Sequence, residues 1–318
     1  MIRLAIVGEQ AAGRYARVAW RFADLACVAV AGTGPDIGAI AEQVGAGIVS
    51  DEFEQLLQQH GDEFDAVLVH GDFARRETHG QVAAEAAKHV LVEFPWTRSP
   101  LALGELCRAH NRVGMVARPW RFLPCVAIVK QQLEAGKLGQ LGLVRMHRWD
   151  ASGYAGSLVE ERMARDLDLV CWLFDAAPTE IYGHGPPAGN SQDGNPGAGN
   201  LEDESGYAQL HLGFRGGGMA VLDYWTGLPR GDDYFSLTAI GSSGAAYADD
   251  HHDVHLVYRG GRPSACRSSQ TDFAVAAQLR MFLDAIAANC PPATDGLPLR
   301  EVMAAAAQSI LKREMVAC

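Results

Sequence analysis

The sequence predicts an α/β protein of two domains, an N-terminal doubly wound parallel sheet and a C-terminal α+β domain with a large, mostly antiparallel sheet. Over residues 1–120, short apolar strands alternate with helical patterns, which is typical of βαβ units. Over residues 121–318 the alternation stops, and several strands bounded by turn residues follow one another. The chain has 318 residues, 48% of them hydrophobic, which is enough for two buried cores.

Each element of the first domain has its own pattern. Apolar runs predict strands at Arg3–Val7, Cys27–Ala31, Ala66–His70, Val90–Glu93 and Gly114–Ala117. Helical spacing predicts intervening helices at Gly13–Ala23, Ile37–Val44, Glu52–Gln59, Arg75–Lys88 and Leu101–Asn111. Because crossovers between parallel strands are right-handed, these units are expected to form a doubly wound sheet.

The second domain begins with a helix, a strand and a second helix, at Phe122–Ala135, Leu143–Trp149 and Leu158–Phe174. Residues 185–203 are dense in Gly, Pro, Asn and Asp, which predicts a long loop. The later strands are predicted at Gly206–Phe214, Gly218–Trp225, Tyr234–Ile240, Ala245–Ala248 and Val254–Tyr258. Two helices follow at Phe273–Ala288 and Arg300–Arg313, and it stays open whether the last one packs back on the first domain.

Charge and hydropathy exclude several classes of partner. The chain has 27 Lys and Arg against 38 Asp and Glu, a formal net charge of −11, so we expect no binding to nucleic acid or to an anionic membrane surface. It has no apolar run as long as the ~18 residues of a membrane span and no signal-peptide pattern, so we expect a cytoplasmic protein. Seven scattered cysteines favour reduced thiols over a disulfide framework.

The first strand leads into a glycine-containing turn and then a helix. This is the Rossmann-type context in which a dinucleotide diphosphate binds at a helix N-terminus. The first and third glycines of G-x-G-x-x-G are present as Gly8 and Gly13, but Gln10 takes the middle place. A side chain there obstructs the approach of the diphosphate to the backbone, and Glu9 adds a negative charge.

The ribose-binding acid that usually ends the second strand is also missing, since Asp36 comes late and suits a helix cap. The cofactor is therefore NAD or NADP, with a weak preference for NADP, or the scaffold binds none. The candidate cofactor-binding residues are Gly8, Gln10, Ala11, Ala12, Gly13, Thr33, Gly71, Glu93 and Pro95.

Six segments, in order along the whole chain, resemble the Gfo/Idh/MocA family of NAD(P)-dependent sugar and cyclitol dehydrogenases. The segment 87–95, AKHVLVEFP, is similar to the family's A-G-K-H-V-x-x-E-K-P. The others are RFLP at 121–124, EAGKLG at 134–139, DLDLVCWLF at 166–174, IGSSG at 240–244 and DGL at 295–297 with the helix after it. The resemblance implies a dinucleotide-binding domain followed by an α/β domain whose open sheet forms a dimer.

In the family, a lysine in E-K-P and a histidine in H-x-x-D handle the hydroxyl proton, and an acid four residues before the histidine supports it. The resemblance places Phe94 at the lysine position, Arg165 at the histidine position and Glu161 at the acid position. Phenylalanine cannot transfer a proton, and arginine is a poor general base, although it can bind a carboxylate in bidentate fashion. Ordinary sugar dehydrogenation is therefore not expected.

The remaining side chains suggest a pocket for a small anionic or planar ligand. Arg165, Glu161 and Tyr154 are the candidate catalytic residues, with the Tyr154 phenol as a proton donor. The candidate pocket residues are Phe94, Trp96, Trp120, Arg121, Arg148, Asp150 and Arg162. The alternative is structural: Tyr154 is simply hydrogen-bonded, Arg148 and Arg162 are solvated, and Arg165 pairs with Glu161 one helical turn away.

The sequence is compatible with three functions. The first is a divergent NAD(P)-dependent oxidoreductase that acts on a small carbonyl or imine compound. The second is a catalytically inactive binding or partner protein that keeps the fold and dimerises through the C-terminal sheet. The third is a non-redox enzyme that uses Glu161 and Arg165. No metal site is assigned, because the segment 249–255, DDHHDVH, is best interpreted as a polar turn leading into a strand.

Overall fold

The computed structural model describes residues 1–8, 12–71, 73–96, 100–151, 163–185, 206–229, 232–250, 254–257, 264–267, 270–290 and 297–318. The chain forms two compact units. Unit 1 comprises Met1–Phe122 and Thr271–Gly296, and unit 2 comprises Leu123–Gln270 and Leu297–Cys318. In the described part of the chain, no helix is long and apolar enough to cross a membrane.

Unit 1 is built on a parallel sheet whose strands follow the order β3-β2-β1-β4-β5-β6. The strands are β1 (Ile2–Val7), β2 (Leu25–Ala31), β3 (Ile48–Ser50), β4 (Ala66–Val69), β5 (His89–Glu93) and β6 (Gly114–Ala117). The predicted doubly wound parallel sheet is confirmed. The sequence missed β3, a three-residue edge strand without a fully buried residue and too short to show a periodic pattern.

Helices cover both faces of this sheet. They are α1 (Ala12–Ala19), α2 (Ile37–Val44), α3 (Phe53–His60), α4 (Phe73–Glu85) and α5 (Pro100–Arg108). Along β1, Leu4 and Ile6 pack into one hydrophobic core, whereas Ala5 and Val7 pack into a second core on the opposite face. Burial on both faces explains why the strands read as continuous apolar runs without alternation.

Unit 2 contains a mixed sheet in the order β12-β11-β7-β10-β9-β8-β15. Its strands are β7 (Leu141–Ala151), β8 (Glu180–His184), β9 (Gly206–Gly213), β10 (Met219–Leu228), β11 (Tyr234–Gly241), β12 (Ala245–Asp249) and β15 (Met315–Ala317), and a separate hairpin joins β13 (Val254–Val257) and β14 (Ser264–Arg267). The pair β7–β10 is parallel and the other pairs are antiparallel, as predicted. The sequence missed β8, β14 and β15.

The remaining helices are α6 (Pro124–Glu134), α7 (Ala164–Phe174), α8 (Gln270–Ala288) and α9 (Leu299–Lys312). Helix α9 packs on β8, where the Ser309 hydroxyl accepts a hydrogen bond of 2.8 Å from the Gly183 backbone N–H. The sequence assigned α8 to the second domain, but the structure places it in unit 1. Its apolar face, including Leu279 and Phe282, completes the core that contains Leu4.

One face of the unit 2 sheet is rich in aromatic and polar side chains. Strand pairing aligns residues of β9, β10, β7 and β11 in a row across the sheet: Tyr207, Trp225, Trp149 and Tyr234. The next row on the same face contains Gln209, Asp223 and His147, and the His147 ring lies 2.8 Å from the Asp223 carboxylate. Tyr207 and Met219 are about half exposed. We call this surface the open face.

Candidate functional site

The carboxyl ends of the parallel strands of unit 1 lie along one edge of the sheet. The strand order reverses between β1 and β4. Strand pairing brings Val7 level with Ala31 on one side and with Val69 on the other. The residues that follow these strand ends therefore share one edge of the sheet. Ligands of open α/β sheets bind in the crevice at such a reversal point.

A groove runs along this edge, and some of the residues that line it are glycines, which have no side chain. Gly8 has a φ of +131°, and a Cβ atom placed there would lie 2.2 Å from the His70 carbonyl oxygen. Gly71 has a φ of +124° and lies close to Gly8. The side chains and backbone that line the groove include Gly8, Gly32, Thr33, Asp51, His70, Gly71 and Arg75.

This groove fits a dinucleotide in two respects. Gly8 and Gly71 line the groove without a side chain, and backbone free of side chains is what a diphosphate site requires. Both ring nitrogens of the buried His70 side chain lack a hydrogen-bond partner among the described residues, so the groove contains polar atoms suited to a ligand. Of the predicted cofactor residues, Gln10 and Ala11 lie outside the described residues, and Ala12 and Gly13 begin α1.

A cluster of charged side chains adjoins the groove at the end of β5. The Nε2 atom of His70 lies 2.6 Å from Oε2 of Glu93, and Arg76 Nη2 lies 3.6 Å from the same oxygen. Arg76 also donates hydrogen bonds to the carbonyl oxygens of Gly71 and Pro95. The carboxylate predicted to face the cofactor is therefore held by two basic side chains.

His70 and Arg76 were not among the residues singled out from the sequence. The available signal was the segment Val69-His70-Gly71, which puts a histidine directly after an apolar strand, at the edge where parallel strands end. Its pairing with Glu93 depends on two neighbouring strands, β4 and β5, and no local pattern records it.

Phe94 and Trp96 follow β5 and are buried in packing contacts within unit 1. The Phe94–Pro95 peptide bond is cis. The Phe94 ring is 8% exposed, packs edge-on against Trp120 with ring centroids 5.0 Å apart, and has the Arg118 guanidinium 5.9 Å from its centre. Trp96 is 6% exposed and belongs to the hydrophobic core beside α4.

Both rings are thus packed inside unit 1, and their assignment to a ligand pocket stays a prediction. Burial of a large aromatic side chain is strongly favourable, and here each ring has apolar or cationic neighbours of its own. Trp120 and Arg121, in the turn after β6, are half-buried and stay candidates for the pocket.

In unit 2, Arg148 is committed to a buried ion pair. Its Nε and Nη2 atoms donate hydrogen bonds of 2.7 and 2.6 Å to the carboxylate of Asp166, and the guanidinium lies over the Phe235 ring. Both charged side chains are almost fully buried. Removing one partner of such a pair costs about 3–5 kcal/mol, because an unpaired charge stays behind. The alternative that Arg148 is solvated is wrong, because the side chain is buried and paired, and its assignment to the ligand pocket stays a prediction.

Arg165, at the start of α7, pairs with Asp150 of β7. The Nη2 and Oδ2 atoms are 3.4 Å apart, and 28% of the Arg165 side chain is exposed. The sequence analysis gave Arg165 as a catalytic candidate and Asp150 as a pocket candidate, and the structure pairs the two side chains. Glu161, Arg162 and Tyr154 lie outside the described residues, as do His251, His252 and Asp253.

No family model and no curated protein matches this chain at a significant level. Solved structures, however, match it over almost its full length. A probable dehydrogenase from Thermotoga maritima has a TM-score of 0.81 at 18% identity, covering 99% of this chain and 98% of its own. A putative myo-inositol dehydrogenase from Sinorhizobium meliloti has a TM-score of 0.81 at 19% identity, covering 100% and 99%.

A third structure, scyllo-inositol dehydrogenase from Lactobacillus casei with bound NAD(H) and scyllo-inositol, has a TM-score of 0.78 at 19% identity. It covers 100% of this chain and 99% of its own. At such identities the likeness establishes the fold and leaves activity to be argued from the site. The chain has the fold of the inositol dehydrogenases and related oxidoreductases, the Gfo/Idh/MocA fold.

Proposed function

We propose that this protein is a divergent NAD(P)-dependent oxidoreductase that acts on a small, anionic carbonyl or imine compound. The observation that supports it most directly is the glycine-lined groove at the reversal point of the unit 1 sheet. The Lactobacillus casei enzyme of the same fold binds NAD(H), which favours NAD over NADP for this chain.

In this proposal, different residues contact the cofactor and the substrate. Backbone at Gly8 and Gly71 would approach the cofactor diphosphate, and Glu93 and cis-Pro95 would border the groove at β5. When bound, the nicotinamide ring supplies or accepts a hydride. Arg165, which keeps part of its side chain exposed, would bind and orient an anionic group of the substrate. Phe94 moves no proton, so proton transfer must use another group.

Cofactor binding tests this proposal. Purified protein is titrated with NADH and with NADPH, and binding is followed by calorimetry and by nucleotide fluorescence. We expect NADH to bind in the micromolar range and NADPH more weakly. Absence of binding by either nucleotide at millimolar concentration would refute the oxidoreductase proposal.

A pair of variants tests whether the cofactor binds in the groove. Thr33→Glu adds a negative charge to an exposed residue that lines the groove, so the anionic cofactor should bind at least about tenfold more weakly. Gln58→Glu adds the same charge to an exposed position on α3 that does not line the groove, and it should bind NADH as the wild type does. Equal weakening in both variants would indicate a non-specific charge effect.

A second candidate function is a catalytically inactive binding protein. It is favoured by Phe94, whose ring is buried at the position where resembling enzymes have a lysine. An oxidoreductase exchanges deuterium between a substrate carbon and the cofactor, whereas a binding protein only retains the nucleotide. NADH binding without hydride transfer to any of a panel of keto acids, sugars and imines would support this second candidate.

We also propose that the protein is a homodimer joined through the open face. Aromatic rings and half-exposed apolar side chains across β9, β10, β7 and β11 favour burial against a second copy.

A further inference from the structure

The described part of the open face contains three histidines, on β7, β8 and β9. His184 of β8 is level with Gln209 of β9. Gln209 is level with Asp223 of β10, and Asp223 is level with His147 of β7. His211 lies two residues after Gln209 on β9 and therefore points to the same side of the sheet. The three imidazoles thus share one face of unit 2.

This side of the sheet is the one turned away from α9. On the opposite side of β8, a Cβ atom at Gly183 would lie 2.7 Å from the Ile310 side chain of α9. His184 and His211 are exposed, and 37% of the His147 side chain is exposed. All three histidines can therefore exchange protons with solvent in a single copy of the chain.

Asp223 is the carboxylate in the middle of this histidine cluster. It accepts a hydrogen bond of 3.0 Å from the Tyr207 hydroxyl and a further one from the Gln209 amide. Its Oδ2 atom lies 2.8 Å from Nδ1 of His147. His211 is held differently, because its Nε2 atom lies 2.8 Å from the amide oxygen of Gln209.

The neighbouring strands add further titratable and charged side chains to the face. By strand pairing they are Tyr234 of β11, Arg145 of β7, Glu180 and Tyr182 of β8, and Tyr247 and Asp249 of β12. Among the described residues, His147 lies within ion-pair distance of a carboxylate, and His184 and His211 form no such pair. A positive charge on either of the last two histidines thus has no partner within its own chain.

A dimer through the open face brings the histidines of two copies together. A two-fold contact uses the same patch on both subunits, so each copy contributes its three imidazoles to one interface. Neutral imidazoles can be buried there with their hydrogen bonds. An imidazolium without a carboxylate is costly to bury, and it also repels the other positive charges.

We propose that the open face is a pH-sensitive dimer interface, which holds two copies together while His147, His184 and His211 are neutral and releases them when these side chains are protonated. The inference rests on the proposed dimer and is independent of the oxidoreductase activity. Histidine side chains gain their charge between about pH 8 and pH 5. Because separated monomers then bind more protons than the dimer, the dissociation constant rises as the pH falls.

Sedimentation equilibrium at several pH values between about 7.5 and 5.5 tests this, with far-UV circular dichroism to check that the chain stays folded. We expect the dissociation constant of the wild-type dimer to rise at least about tenfold over this range. A triple variant with His147→Gln, His184→Gln and His211→Gln keeps polar amides without the titrating charge, and its constant should stay within about threefold. His110→Gln changes an exposed histidine of unit 1 and should keep the wild-type dependence.

Several outcomes would overturn the inference. A wild-type dissociation constant that stays level or falls in acid would do so, and so would an equal rise in the triple variant. If the triple variant folds poorly, His184→Gln and His211→Gln are made separately, since both change exposed side chains. Each should flatten the pH dependence, and an unchanged dependence in both would count against the proposal.

A wild type that is monomeric at pH 7.5 would refute the proposed dimer itself, and this inference with it. Titration of the same samples with NADH tests the oxidoreductase proposal separately.

Discussion

Phe94 is buried in packing contacts at the corner after β5. Its ring contacts Trp120 and lies below the Arg118 guanidinium, so it stabilises the corner after β5 by packing. A lysine at this position would bring an ammonium group close to that guanidinium, and the two like charges would repel. The surroundings of Phe94 are thus suited to an aromatic ring.

His89, the first residue of β5, makes folding sensitive to acid. It is 7% exposed, and its Nδ1 atom accepts a hydrogen bond of 3.0 Å from the Val113 backbone N–H. Burial, aided by the charge of Arg112, lowers the pKa of His89 from 6.5 to about 4. Between these values the unfolded chain binds a proton that the folded chain does not, so stability is lost as the pH falls.

We therefore expect the free energy of unfolding to fall by about 3 kcal/mol from this residue between pH 6.5 and pH 4. Urea denaturation at several pH values measures the slope. His89→Asn, whose amide oxygen can still accept the Val113 N–H bond, should show a shallower slope. His110→Asn changes an exposed histidine and should keep the wild-type slope. A slope that His89→Asn leaves unchanged would contradict this assignment.

At the level of elements, α4 and the segment after β5 fit together through a glycine. A Cβ atom at Gly80 of α4 would lie 2.7 Å from the Trp96 ring, so the helix packs on the tryptophan only without a side chain. Glycine usually weakens a helix, and its presence here follows from the size of the buried ring.

Alanine substitution should therefore have opposite effects at two helical glycines. Gly80→Ala forces the Trp96 ring or the helix to move, and we expect a loss of about 1–3 kcal/mol in the free energy of unfolding. Gly38→Ala in α2 meets open space and should stabilise by up to about 1 kcal/mol. Chemical denaturation of both variants checks this, and a Gly80→Ala protein as stable as the wild type would show that the packing is loose.

At the scale of the whole molecule, the two units use their sheets differently. The unit 1 sheet has helices on both faces and has a groove at one end. The unit 2 sheet has alternating burial along β10 and exposes side chains on the open face. An antiparallel or mixed sheet with one solvated face is a common surface for association.

The proposed dimer predicts which surface change separates the subunits. Met219 is 52% exposed on the open face, so Met219→Arg should shift the protein from dimer to monomer in sedimentation equilibrium. Leu311 of α9 is equally exposed at 52%, and Leu311→Arg should leave the dimer intact. A wild-type protein that sediments as a monomer at tens of micromolar would contradict the proposal.

Local sequence patterns were sufficient for the fold class and for the order of the elements apart from β3, β8, β14 and β15. Continuous apolar runs such as Ala66–Val69 indicated strands buried on both faces, and the glycines and apolar spacing between them indicated the helices. The resemblance added the corner at Glu93 and the positions of Phe94 and Arg165. The three-residue strands β3 and β15 were not predicted, because they are too short to show a periodic pattern of apolar residues.

What the sequence determined by itself is therefore the βαβ alternation of the first domain and a second domain with a large, mostly antiparallel sheet. Only the tertiary structure shows three further features. His70 contacts Glu93, Arg148 forms a buried ion pair with Asp166, and α8 completes the core of unit 1. The physical reason is the distance along the sequence between the residues that interact. Strand and helix periodicity arise from neighbouring residues, whereas the partner of a charged or aromatic side chain depends on which distant elements pack together.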